Sequence, residues 1–149
     1  MRITSSAYGD QQLMPHKYTC DGDNVSPPLR IEGVPKMAQS LVLIVNDTDS
    51  PRGDWAHWLL WNIPVETKLI PENSLPAGAV EGMNDWLQKG YGGPCPSDGQ
   101  THKYHFSLYA LDTVLSLNTQ ANKQELYGVI VKHIIAQDEL VGIYKRMQE

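Results

Sequence analysis

The stretch Asn46-Asp47-Thr48-Asp49-Ser50-Pro51, followed by Trp55-Ala56-His57-Trp58, lies between two apolar runs and decides how the chain folds. Leu41 to Val45 is continuously apolar and ends in polar Asn46 and Asp47. Such a run suits a strand buried on both faces. Asp49 to Asp54 is a cluster of turn-forming residues, and Trp55 to Ile63 is again apolar until Pro64 stops it. Paired as antiparallel neighbours, the two runs place Asp47 at the exit of one strand, close to where His57 enters the next.

A second stretch has the same character: Gly92-Gly93-Pro94-Cys95-Pro96, then Thr101-His102-Lys103-Tyr104. From His102 to Asp112 the two-residue period puts His102, Tyr104, Phe106, Leu108 and Ala110 on one face of a strand. Two carboxylates, two histidines and a tyrosine therefore gather at strand ends beside Gly/Pro loops, where a β-scaffold places ligand sites. The apolar runs and turn signals predict a mainly β fold: a large, mostly antiparallel sheet packed on a smaller one.

One helix stands out near the C-terminal third, from Asn122 to Lys132. Asn122 is a suitable N-cap, and Glu125 three residues on completes a capping box. Leu126, Val129, Ile130 and His133 share a stripe. Ile134 to Tyr144 suits helix or strand by pattern. Residues 65–101 read mostly as loop, and a span that long tends to carry function.

Composition bounds the rest. A chain of 149 residues with 41% apolar content fits one domain, residues 1–149, with one core. A net charge of −5 argues against nucleic acid. No window approaches the length of an apolar membrane span, and Met1 to Ser6 lacks the apolar core of a signal peptide, so a cytoplasmic location is expected.

The quoted blocks carry a resemblance. Asp-Thr-Asp-Ser-Pro (47–51), Trp-Ala-His-Trp-Leu-Leu-Trp-Asn-Ile-Pro (55–64) and Gly-Pro-Cys-Pro (93–96) with Thr-His-Lys-Tyr (101–104) resemble the signature blocks of the phosphatidylethanolamine-binding protein family, in its bacterial and archaeal Raf-kinase-inhibitor-like branch. Lys17-Tyr18-Thr19-Cys20-Asp21-Gly22 and Ser26-Pro27-Pro28-Leu29 are similar to that branch's N-terminal block. His133-Ile134-Ile135-Ala136 and Glu139-Leu140-Val141-Gly142-Ile143-Tyr144 are similar to its C-terminal block, and this favours a strand there. Carried over residue by residue, the family's ligand site falls on Asp47, Asp49, Pro51, His57, Gly93, Pro94, His102 and Tyr104. Thr48 stands where proline is usual.

The resemblance implies a binding protein for a small anionic ligand, such as a phosphate or a phospholipid head group, with a regulatory role. The residue chemistry agrees: histidine and tyrosine donate to phosphate oxygens, Gly92, Gly93 and Gly99 let backbone amides approach, and a carboxylate orients a histidine. Trp55 and Trp86 would supply an apolar rim. Histidines titrating near their ordinary value of about 6.5 would strengthen anion binding as pH falls from about 8 to about 6. His16, His105 and His133 read as structural, and Trp58 and Trp61 as core. A kinase or protease inhibitor acting through protein contacts is the alternative among the family's roles, and bacterial relatives suggest a homodimer.

A hydrolase using the Asp/His pocket is the enzymatic alternative. A metal on Asp47, His57 and His102, or a Cys95 nucleophile with His102, would serve it. The chain lacks short His-x-His spacing, a Gly-x-Ser-x-Gly turn and a phosphate loop. No catalytic residue, metal or cofactor is therefore expected. Two cysteines, Cys20 and Cys95, are too few for a disulfide scaffold. The resemblance brings their loops to one site, and a reducing cytoplasm predicts two free thiols there, with a disulfide or a redox-sensitive pair as the alternative.

Overall fold

The computed structural model describes residues 1–146. Among them nine strands run in chain order: β1 (Arg2–Thr4), β2 (Gln12–Leu13), β3 (Leu29–Glu32), β4 (Ser40–Asp47), β5 (Trp55–Ile63), β6 (Leu69–Ile70), β7 (Val80–Glu81), β8 (His102–Leu111) and β9 (Ile134–Tyr144). One 3-10 turn covers His16–Tyr18, and one helix, α1, covers Lys123–Ile130. Six strands form the large sheet in the order β2-β9-β8-β4-β5-β7, and three form the small sheet, β1-β3-β6. Every pairing is antiparallel except β2 with β9, which is parallel. The fold is thus the mainly β, two-sheet arrangement expected.

The apolar run on β4 explains the layering, because all eight of its residues are buried. Leu41, Leu43 and Val45 point into a core shared with Ile3, Leu29, Ile31 and Ile70 of the small sheet. Val42 and Ile44 point to the opposite face, where Leu126 and Ile130 of α1 cover them. A strand with helix on one face and sheet on the other must be apolar at both alternations. On β8 the expected face is realised: Tyr104, Phe106, Leu108 and Ala110 are all buried in the first core.

The helix forms where its cap predicts. The Asn122 side chain accepts from the Glu125 backbone N–H, and the Glu125 carboxylate accepts from that of Asn122. It is shorter than the expected span to Lys132. Within the expected stripe only Leu126 and Ile130 are buried; Val129 and His133 face outward. The segment 134–144 is a strand, paired along β8.

The β4–β5 ladder departs from regular pairing in two places. Val45 opposes Trp58 while Asn46 opposes Ala56, so His57 has no partner of its own. An extra residue of this kind is a bulge, which re-aims a side chain. Further along, a second shift accommodates Asn62, whose φ of 53° is left-handed. Asparagine tolerates that conformation better than most residues, and here its amide also brackets Leu115 with two hydrogen bonds.

Candidate functional site

A cavity of about 310 Å³ opens at the end of the large sheet where β4, β5 and β8 terminate or begin. Asp47, His57, His102 and Tyr104 line it from the strands. Ser50, Pro51, Arg52 and Trp55 line it from the first loop, and Trp86 with Cys95, Pro96 and Ser97 from the second. Of the eight residues expected at a site, five line this cavity: Asp47, Pro51, His57, His102 and Tyr104.

The other three have structural work. Asp49 Oδ2 accepts from the Lys103 N–H at 2.8 Å, tying the first loop to the start of β8. Gly93 and Pro94 lie behind the cavity wall. The Gly93 N–H donates to Asn24 Oδ1 at 2.8 Å, the Pro94 carbonyl accepts from the Cys20 N–H, and the Gly92 N–H donates to the His57 carbonyl. The Gly92 and Gly93 amides are consumed within the fold, so these two do not form a nest for an anion. A side chain at Gly93 has no room, since its Cβ would sit 2.2 Å from the Tyr18 carbonyl oxygen.

Cys20 and Cys95 are joined, with sulfurs 2.06 Å apart and Cα atoms 5.4 Å apart. The expectation of two free thiols is therefore corrected. The two loops meet as the resemblance implies, across a sequence separation of 75, and it is the assumption of a reducing compartment that fails. The bond sews the segment 91–96 to the segment 18–24, beside Tyr91 Oη donating to the Tyr18 carbonyl.

Asp47 and Tyr104 are direct cross-strand partners, and His102 lies two residues further on the same face. His102 is clamped between carboxylates. Its Nδ1 lies 2.6 Å from Asp47 Oδ2, and its Nε2 lies 2.9 and 3.0 Å from the two oxygens of Asp98. Burial pulls its pKa down, but the hydrogen bonds and charges of Asp47 and Asp98 outweigh that and raise it above the ordinary value. The Asp98 carboxyl is held below its ordinary range by the Gln100 backbone N–H and by His102. Both ring nitrogens of His102 are therefore engaged, and it serves as a buried positive centre rather than a free donor.

His57 is different. Its Nδ1 lies 2.6 Å from the Gly92 carbonyl oxygen, which can only accept, so Nδ1 carries the proton. The ring is set edge-on against Trp86 at 4.8 Å and Tyr104 at 5.2 Å between centroids. Burial lowers its pKa, although the Gly92 and Gly93 carbonyls and the Asp47 and Asp85 charges oppose the shift. The expectation that both histidines titrate near 6.5 is thus corrected in opposite directions.

Three contributors give no signal in the sequence pattern. Arg52 lines the cavity with its guanidinium 5.3 Å from the Trp55 ring, and no acidic partner holds it among the described residues. Asp98 completes the clamp on His102, four residues ahead of it. Asp85 accepts from the Ala56 N–H and from Lys123 of α1, and so fixes the loop that carries Trp86. Among the described residues no group of three or more His, Cys, Asp or Glu side chains is arranged for a metal ion. No helix there is long and apolar enough to cross a membrane.

The comparisons with known proteins agree with one another. The family model for phosphatidylethanolamine-binding proteins matches residues 4–145. A UPF0098 protein of Methanothermobacter thermautotrophicus is 44% identical, covering 98% of this chain and 99% of its own. A UPF0098 protein of Chlamydia trachomatis is 41% identical, covering 98% of this chain and 99% of its own. Among solved structures, a phosphatidylethanolamine-binding protein homolog from Chlamydia trachomatis superposes with a TM-score of 0.93 at 40% identity, covering 97% of both chains. YbcL of E. coli, described as a member of the mammalian family, superposes at 0.92 with 29% identity and 98% coverage of both chains. The strand-end cavity, the two-sheet frame and these matches across almost the whole length make this chain a member of the phosphatidylethanolamine-binding protein family.

Proposed function

We propose that the strand-end cavity binds a small phosphate-bearing ligand and that the protein acts through this binding rather than through turnover. The observation that carries the reading is Arg52, a cation on the cavity wall with no carboxylate partner among the described residues, beside the hydroxyls of Ser50, Ser97 and Tyr104. A guanidinium with neighbouring hydroxyls is a phosphate receptor. Asp47 and Asp98 do not contradict it, because the His102 imidazolium between them offsets one of their two charges and Arg52 the other. On the cavity wall no hydroxyl or thiol is hydrogen-bonded to a histidine: Cys95 is bonded to Cys20, both nitrogens of His102 are taken by carboxylates, and His57 Nδ1 is taken by the Gly92 carbonyl.

Calorimetric titration with inorganic phosphate tests the reading. The wild type binds, and Arg52→Ala weakens the affinity by about tenfold, as loss of one charge-assisted hydrogen bond of about 1.5 kcal/mol requires. Unchanged affinity in that variant would remove Arg52 from the site.

A further inference from the structure

One acceptor on the cavity wall is a ring nitrogen and not an oxygen. With Nδ1 of His57 donating to the Gly92 carbonyl, Nε2 retains its lone pair. That nitrogen has no hydrogen-bond partner among the described residues, yet it is not sealed from solvent, and its ring lines the cavity. An acceptor left facing a ligand site asks for a ligand that carries a proton.

Charge points the same way. The groups that face His57 are Asp47 from β4, Tyr104 from β8, Asp85 and Trp86 from one loop and the Gly92 and Gly93 carbonyls from the other. Tyr104 stays a neutral phenol, since burial first and Asp47 second push its pKa up. Asp85 is matched by Lys123. Of the charged residues lining the cavity, Asp47 is negative and His102 and Arg52 are positive, while Asp98 lies against His102 outside that lining. The one cation left unbalanced on that wall is matched by a monoanion and exceeded by a dianion.

Resting on the phosphate reading above, we infer that the site selects the monoanion of a phosphate monoester, whose P–OH donates to His57 Nε2 while Arg52 takes the unprotonated oxygens. A phosphodiester, such as the phosphate within a membrane phospholipid, has the same charge but no hydroxyl. It leaves Nε2 desolvated and unpaired. The ligand is therefore the head of a monoester, and the proton that matters belongs to the ligand.

Methyl phosphate and dimethyl phosphate differ by this hydroxyl and one methyl group. Calorimetry with the intact, oxidised protein at pH 5 and pH 7 gives four affinities. At pH 5 the monoester binds at least tenfold tighter, as one unmade hydrogen bond to a buried acceptor predicts. By pH 7 that ratio falls about tenfold, because a monoester with a second pKa of about 6 is then mostly dianionic. Titration of His102 affects both ligands alike and cancels in the ratio, and burial keeps the His57 ring neutral further down in pH than a free imidazole. Equal affinities at pH 5, or a ratio that does not change with pH, overturn the inference while leaving the phosphate site in place. Binding of neither ligand overturns the phosphate reading and this inference with it. His57→Phe keeps a flat ring between Trp86 and Tyr104 and abolishes the preference at pH 5. If that variant fails to fold, the wild-type ratios still decide.

Discussion

His102 and Asp47 share a hydrogen bond of 2.6 Å with both side chains almost fully buried, 3% and 5% exposed. Asp47 Oδ1 meanwhile accepts from the Asp49 N–H at 2.8 Å, starting the turn that carries Ser50 to Arg52 around the cavity. One carboxylate thus fixes both the charge state of the histidine and the loop that holds the cation. Asp47→Asn keeps an acceptor but removes the charge. It should lower the His102 pKa, visible in a histidine NMR titration, and destabilise the fold by about 1–2 kcal/mol by denaturant unfolding.

The two cavity histidines predict a stability profile with two limbs. His102 has a raised folded-state pKa, so its contribution is complete below the unfolded value of about 6.5 and is lost as pH rises through the higher folded value. His57 has a lowered folded-state pKa, so its contribution is present above about 6.5 and is lost as pH falls toward the folded value. Thermal unfolding across pH 5 to 9 should show His102→Gln flattening the alkaline limb only. A flattened acid limb in that variant would mean the roles are exchanged.

Reduction of the Cys20–Cys95 bond should destabilise the protein by about 2–5 kcal/mol, since it closes a loop of 75 residues in the unfolded chain. Dithiothreitol should lower the unfolding midpoint of the wild type and leave a Cys20→Ala/Cys95→Ala double variant unmoved. Thiol titration of the denatured, unreduced protein should find no free group.

Gly93→Ala drives a Cβ toward the Tyr18 carbonyl, at 2.2 Å, and toward Asn24 Oδ1, at 2.5 Å. The segment 91–96 must shift as a unit. A loss of about 1–3 kcal/mol is expected, with weaker phosphate binding because the Gly92 carbonyl that orients His57 moves as well.

Much of this arrangement can be read along the chain. The strands at 40–47, 55–63 and 102–111 follow apolar runs whose burial is dictated by their neighbours in sequence. Asn122 and Glu125 cap the helix through contacts three residues apart. Asp47, His57, His102 and Tyr104 gather because strand ends converge at one mouth. What escaped has a common cause. Arg52 looks like any charged turn residue until the loop folds back over Trp55, and Asp98 looks like a turn cap until the chain curls to His102. The closeness of Cys20 and Cys95 was legible through the resemblance, but their bond was not, because residue type does not carry the redox state. The opposed titrations of His57 and His102 required their partners, a carbonyl for one and two carboxylates for the other, and neither is visible from residue type.

The large sheet ends at β2 on one side and β7 on the other, each only two residues long, while the long strands β4, β5, β8 and β9 lie inside. Unpaired strand edges are where chains recruit foreign backbone and grow into aggregates. Here β2 covers β9 only at Gly142 and Ile143, so the outer edge of β9 from 134 to 140 has no strand paired with it among the described residues. A second chain adding itself strand to strand would find its foothold on that stretch of β9, and not on the two-residue margins.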